Sequence, residues 1–152
     1  MAGVSAGWFG IESYTVAHQS LVKVGPLFRA DQDIEPFPNL AKSWEWSSDG
    51  FSLTMKLIEG AKWSDGTPFT ADDVVFTWEA YISDPNVASM RTLDAFKYGD
   101  KDATLEKVDD TTIKFTFGVA KPLGVYNDIS EQGLVVSPAH VLKEFHPKFS
   151  TK

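Results

Sequence analysis

Asp65, Asp72 and Asp73 lie close together in "WSDGTPFTADDV", residues 63–74. Two carboxylates flanking a glycosidic bond can act as acid and nucleophile or base, and a cluster of them can hold a hard cation. The same spacing has a scaffold account. Asp65 and Gly66 form an Asp-Gly turn, in which the aspartate bonds its own backbone two residues on. Thr70 and Asp73 have the spacing of a helix capping box, and Asp72 and Asp73 favour the positive end of the helix dipole. We expect the scaffold role. The enzyme alternative is a glycoside-processing domain using Asp65 and Asp72 or Asp73.

Other chemistry finds less support. "DQDIE" opens like a calcium loop at Asp31, Asp33 and Glu35, but that loop needs glycine sixth and glutamate twelfth, where this chain has Pro36 and Lys42. His18, His140 and His146 include no pair at helical metal-ligand spacing, and there is no HExxH, GxSxG, phosphate loop or Rossmann fingerprint. The absence of cysteine excludes disulfides, thiolate metal sites and a cysteine nucleophile. Five tryptophans could make a sugar-stacking platform. Yet Trp44, Trp63 and Trp78 fall where the patterns want apolar residues, Trp46 shares the strand parity of Trp44, and Trp8 lies in a weakly patterned segment. Packing is the expected role. A contiguous exposed aromatic patch would instead mark an interaction module.

The elements that would position these residues follow from periodicity. "SWEW" and "FSLTMKLI" read as two strands; in the second, Phe51, Leu53, Met55 and Leu57 share one face and Ser52, Thr54 and Lys56 the other. "SSDG" between them supplies a tight turn at Asp49-Gly50. After the second turn, Val74, Trp78 and Tyr81 or Ile82 form the apolar stripe of a helix that Asp84-Pro85 ends. "ATLEKVDDTTIKFTF" reads as a second hairpin, with Ile113, Phe115 and Phe117 inward and Thr112, Lys114 and Thr116 outward. A first helix is predicted over residues 13–24, a turn-rich loop over 31–39, and short helices after Pro122 and Pro138. Hairpins separated by helices give an α+β domain with a mainly antiparallel sheet.

The bulk properties agree. The 152 residues suit one domain, with 43% hydrophobic and 23% charged residues. A net charge of −7 makes nucleic acid an unsuitable partner. No apolar run reaches the roughly 18 residues of a membrane span. The opening "MAGVSAGWFGIES" has no basic region followed by an apolar one, so either the protein stays inside or the chain is trimmed; "KEFHPKFSTK" closes no obvious element, which favours trimming.

The run from Leu40 to Glu79, "LAKSWEWSSDGFSLTMKLIEGAKWSDGTPFTADDVVFTWE", resembles the signature of oligopeptide/dipeptide-type extracellular solute-binding proteins of ABC importers. There a "LAESW" strand precedes "SDDG", a "YTFxLRxGVKWHDGxPFTAEDV" run and a helix. Leu53-Thr54-Met55 and Ser64 are mild departures. Downstream, "LEKVDDTTIKFTF" and "PLGVY" resemble the family's next hairpin and helix, and upstream "SYTVAHQSLVKVGPLFR" resembles its first helix and loop. The resemblance implies a periplasmic-binding-protein-like (type II) receptor with two lobes. Residues 1–152 would then form a single peripheral α+β subdomain of the first lobe.

It further implies a non-enzymatic protein without cofactor or metal. The parent would lie in the periplasm or at the cell surface and deliver solute to an ABC permease. Peptide is the default solute, with oligosaccharides and nickel complexes as family alternatives. The fragment itself is expected to be monomeric. Trp44, Asp49, Gly50, Trp63, Asp65, Gly66, Phe69, Thr70 and Asp73 take structural roles. In the segment "NVASMRTLDAFKYG" after Pro85, Met90, Arg91 and Tyr98 are the predicted solute-facing residues, since binding residues concentrate on loops held by a rigid scaffold.

Overall fold

A computed structural model describes residues 19–24, 36–87, 93–130 and 133–150. In chain order the strands are β1 (Val22–Lys23), β2 (Phe37–Pro38), β3 (Ala41–Trp46), β4 (Ser52–Leu57), β5 (Lys97–Tyr98), β6 (Lys101–Asp102), β7 (Thr104–Asp109) and β8 (Thr112–Thr116). The α-helices are α1 (Ala71–Thr77), α2 (Val125–Asp128) and α3 (Ala139–Leu142). Strands β3-β4-β8-β7 form an antiparallel sheet, while β1 pairs with β2 and β5 with β6.

Alternation along the strands builds the core. Trp44 and Trp46 stand opposite Met55 and Leu53, which in turn stand opposite Ile113 and Phe115. Leu53, Met55, Leu57, Ile113 and Phe115 are buried, and Val74, Trp78, Ile82 and Phe96 join them in one cluster. Edge-to-face contacts from Trp78 to Phe96 and Phe115, at 4.9 and 5.7 Å between centroids, add geometric specificity to that burial. In the β3–β4 turn, Asp49 Oδ1 accepts from Phe51 N at 3.0 Å and Ser47 Oγ at 2.6 Å, and Gly50 takes a φ of 76° that a side chain would resist.

Helix α1 opens into a wider turn, Trp78–Ile82, closed by a π-type bond from Ser83 N to Trp78 O at 2.8 Å. Trp78 and Ile82 face the main core. Phe76 and Ala80 face a second cluster with Ala139, Tyr81, Leu142 and Phe149.

Three local expectations change. The helix predicted over 13–24 is not helical at its far end: Leu21 and Val22 are fully buried, and Val22–Lys23 pairs with Phe37–Pro38. Their β-branched and apolar side chains pack better against a pleated surface than in a short helix. Residues 13–18 and 31–35 lie outside the described residues. Phe51 does not share the core face of Leu53; it precedes β4 at the turn and is 41% exposed. Thr112 is buried rather than outward: it stands opposite Lys56 across the sheet, and its Oγ1 accepts from Lys56 Nζ at 2.8 Å.

Candidate functional site

The acidic turn and helix start resolve into a fastening. Trp63 N donates to Thr67 O at 2.8 Å, closing the Asp-Gly turn in which Gly66 holds a φ of 88°. Asp65 Oδ1 accepts from Thr67 N at 2.9 Å, and Asp65 Oδ2 lies 2.7 Å from His140 Nε2. The Thr67 amide first, and His140 second, hold the Asp65 carboxyl down at about 2. Thr70 caps α1: its Oγ1 accepts from Asp72 N, and Asp73 Oδ2 reaches back to Thr70 N at 3.0 Å, completing a capping box.

Asp73 is 4% exposed, yet fully engaged. Its Oδ2 also accepts from Trp63 Nε1 at 3.1 Å, and its Oδ1 accepts from Ala139 N at 2.9 Å. Thr77 Oγ1 accepts from Ser137 N at 2.9 Å. Phe69, buried, meets the Trp63 ring edge-to-face at 6.1 Å. Asp72 is exposed and pairs with Lys107 at 2.9 Å; Asp110 and Asp72 together push the Lys107 ammonium up to about 12.

This arrangement suits structure better than hydrolysis. A general acid in a glycosidase needs a raised pKa, whereas Asp65 is held low. Asp73 spends its oxygens on three donors, and Asp72 on a lysine. Among the described residues no group of three or more histidines, aspartates and glutamates could hold a metal ion.

A second constellation is aromatic. Trp44 and Trp46 are half-buried on edge strand β3, beside half-buried Tyr126 of α2 and Tyr98 of β5. Trp46 Nε1 donates to Tyr126 OH at 3.1 Å, and the Trp44 and Tyr126 centroids are 6.1 Å apart. Phe117, 4% exposed, lies beneath Trp46 at 5.6 Å and Tyr98 at 5.4 Å. Tyr98 OH donates to Asp128 Oδ2 at 2.5 Å.

Met90 and Arg91 lie outside the described residues, as do Trp8, His18, Asp31, Asp33 and Glu35. The partners of His146 are remote in the chain, so spacing alone gave it no role. It is buried among Phe76, Tyr81 and Phe149, donates from Nε2 to Ala80 O at 3.0 Å, and accepts at Nδ1 from Lys148 N. A shallow depression between residues 83–87 and Pro147–Lys148 is open to solvent and encloses nothing.

Comparison with known proteins places these features. The bacterial extracellular solute-binding proteins, family 5 middle, match residues 35–150. A periplasmic alpha-galactoside-binding protein of Rhizobium meliloti (strain 1021) is 43% identical over 150 residues, covering 98% of this chain and 21% of the relative. The periplasmic oligopeptide-binding protein OppA of Salmonella typhimurium is 31% identical over 137 residues, covering 82% of this chain and 25% of OppA. The solved structure of the periplasmic binding protein MelB with stachyose, from Agrobacterium fabrum C58, superposes with a TM-score of 0.78 at 45% identity, over 89% of this chain and 20% of MelB. The chain thus spans about a fifth of the length of the first relatives it matches. Its mixed helices and antiparallel sheet are part of a type II periplasmic-binding-protein fold. The chain belongs to the bacterial extracellular solute-binding proteins of family 5.

Proposed function

We propose that this chain is one module of a longer two-lobed receptor that captures an oligosaccharide, of the α-galactoside class, outside the membrane and hands it to an ABC permease. The observation that carries the reading is the 43% identity to an alpha-galactoside-binding protein along 98% of the chain, alongside 45% identity to a receptor solved with stachyose. Peptide, the default from the signature alone, takes second place. Its support is the 31% identity to OppA, which shows how widely the scaffold is shared among receptors for different solutes.

The periplasm is the proposed compartment, after the relatives. The module supplies wall and frame. Pockets bury most of a small ligand's surface, which a receptor achieves by closing two lobes over it. The test is calorimetric titration of the full-length receptor with stachyose and with mixed oligopeptides. Saturable stachyose binding at micromolar affinity, with no peptide heat, is the expected result. Peptide binding without sugar binding would overturn the carbohydrate reading and leave family membership intact.

A further inference from the structure

We infer that the aromatic rim of Trp44, Trp46, Tyr126 and Tyr98 is the surface through which this module touches a bound oligosaccharide. The inference rests on the carbohydrate reading above and assigns it a place.

The chemistry begins with the ligand class. A pyranose carries weakly polarised C–H groups on its ring faces and hydroxyls around its rim. It is recognised by aromatic faces beneath the ring and by oxygen and N–H groups at the edge. Aromatic side chains alone would make an ordinary core margin, and hydroxyl partners alone an ordinary surface. The rim combines the two. Its rings run from Trp44 through Tyr126 and Trp46 to Tyr98, with neighbouring centroids 5.4–6.1 Å apart where they meet each other or their shared floor, Phe117. Its polar atoms, Trp46 Nε1, Tyr126 OH, Tyr98 OH and the Asp128 carboxylate, are set among those rings.

The other tryptophans of the described residues are spent. Trp78 is 5% exposed. Trp63 gives its indole N–H to Asp73 and lies against Phe69 and His140. Trp44 is different: its ring is half-open, and among the described residues its indole N–H donates to no protein group. Trp44 and Trp46 alternate with Ser43 and Glu45 on β3, so strand parity turns both indoles the same way, roughly 7 Å apart along the strand. Packing on the buried Phe117 and the bond from Trp46 to Tyr126 fix the rings before any ligand arrives, which lowers the entropy lost on binding.

The rim is tested in the full-length receptor. Trp44→Phe and Trp46→Phe keep most of the packing and remove the indole N–H and its larger face. Tyr98→Phe removes one hydroxyl. Each is titrated with stachyose by calorimetry, with thermal midpoints recorded in parallel. The same receptor is labelled with 5-fluorotryptophan, resonances being assigned by single Trp→Phe variants. The expected result is a loss of about tenfold in stachyose affinity for both variants, at unchanged midpoint for Trp44→Phe and at a slightly lower one for Trp46→Phe, which gives up the bond to Tyr126. Stachyose should also shift the Trp44 and Trp46 fluorine resonances and leave that of Trp78 in place. Wild-type affinity in the variants, with unmoved Trp44 and Trp46 resonances, would overturn the rim while leaving the carbohydrate reading standing. A wild-type receptor that binds no stachyose would overturn both.

Discussion

His140 Nε2 lies 2.7 Å from Asp65 Oδ2, joining a turn to a helix 75 residues further along the chain. Because the folded state holds Asp65 at about 2, below the unfolded carboxyl of about 3.9, the contribution is present above roughly pH 4 and is lost as pH falls from about 4 to 2. Both side chains are partly solvated, so the effect is modest. Asp65→Asn should flatten the acid limb of the thermal midpoint measured from pH 5 to 2. Parallel profiles for variant and wild type would show that the Asp65 carboxyl, held by the Thr67 amide and by His140, carries no linkage.

Thr70 and Asp73 cap the same helix but differ in burial and partners. Thr70→Ala removes one exposed acceptor and should cost about 1 kcal/mol. Asp73→Ala strands the donors Thr70 N, Trp63 Nε1 and Ala139 N, and should cost about 3 kcal/mol or more. Urea titration ranks the two; equal losses would mean that Asp73 acts only as a cap.

Aromatic truncations should follow burial rather than size. Trp78→Ala empties the centre of the core and should cost ~3–5 kcal/mol. Trp63→Ala should fall at or below ~3 kcal/mol, since its ring is only partly covered. Phe37, 65% exposed, should tolerate alanine within ~0.5 kcal/mol. Chemical denaturation of the three variants in one buffer gives the order directly.

The module on its own should unfold in one cooperative transition, because its hairpins and helices bury a shared core. Stachyose or oligopeptides at millimolar concentration should leave its midpoint unmoved. One wall leaves a solute half hydrated, while association still costs its freedom of motion. A ligand at a hundred times its dissociation constant would add ~2.7 kcal/mol, so a complete site in this module would show as a clear rise.

Local chemistry made much of this fold legible. The hairpin at Asp49-Gly50, the alternation of Leu53, Met55 and Leu57, and the Thr70-x-x-Asp73 cap are each decided within a few residues, and each stands where its spacing puts it. What escaped depends on partners far away. Val22 becomes a strand residue only because Pro38 pairs with it, and His146 is buried only because Ala80 and Phe76 are there to receive it. Thr112 is buried, its hydroxyl bonded to Lys56 of the neighbouring strand. The solute class was the least legible feature. Turns and caps are common to receptors for peptides and sugars, and the signature of the scaffold carries no record of what the cleft holds.

The widened turn at Trp78–Ile82 makes α1 a party wall between two compartments. An α-helix advances about 100° per residue, so deleting one residue there would swing everything beyond it by that angle. Ile82 would leave the main core, and Tyr81 would leave the aromatic seat of His146. Val74, Trp78 and Ile82 keep to one compartment and Phe76 and Ala80 to the other, so a single short run of chain serves both. A one-residue deletion at this point should be among the least tolerated in the chain, although the segment contains no glycine.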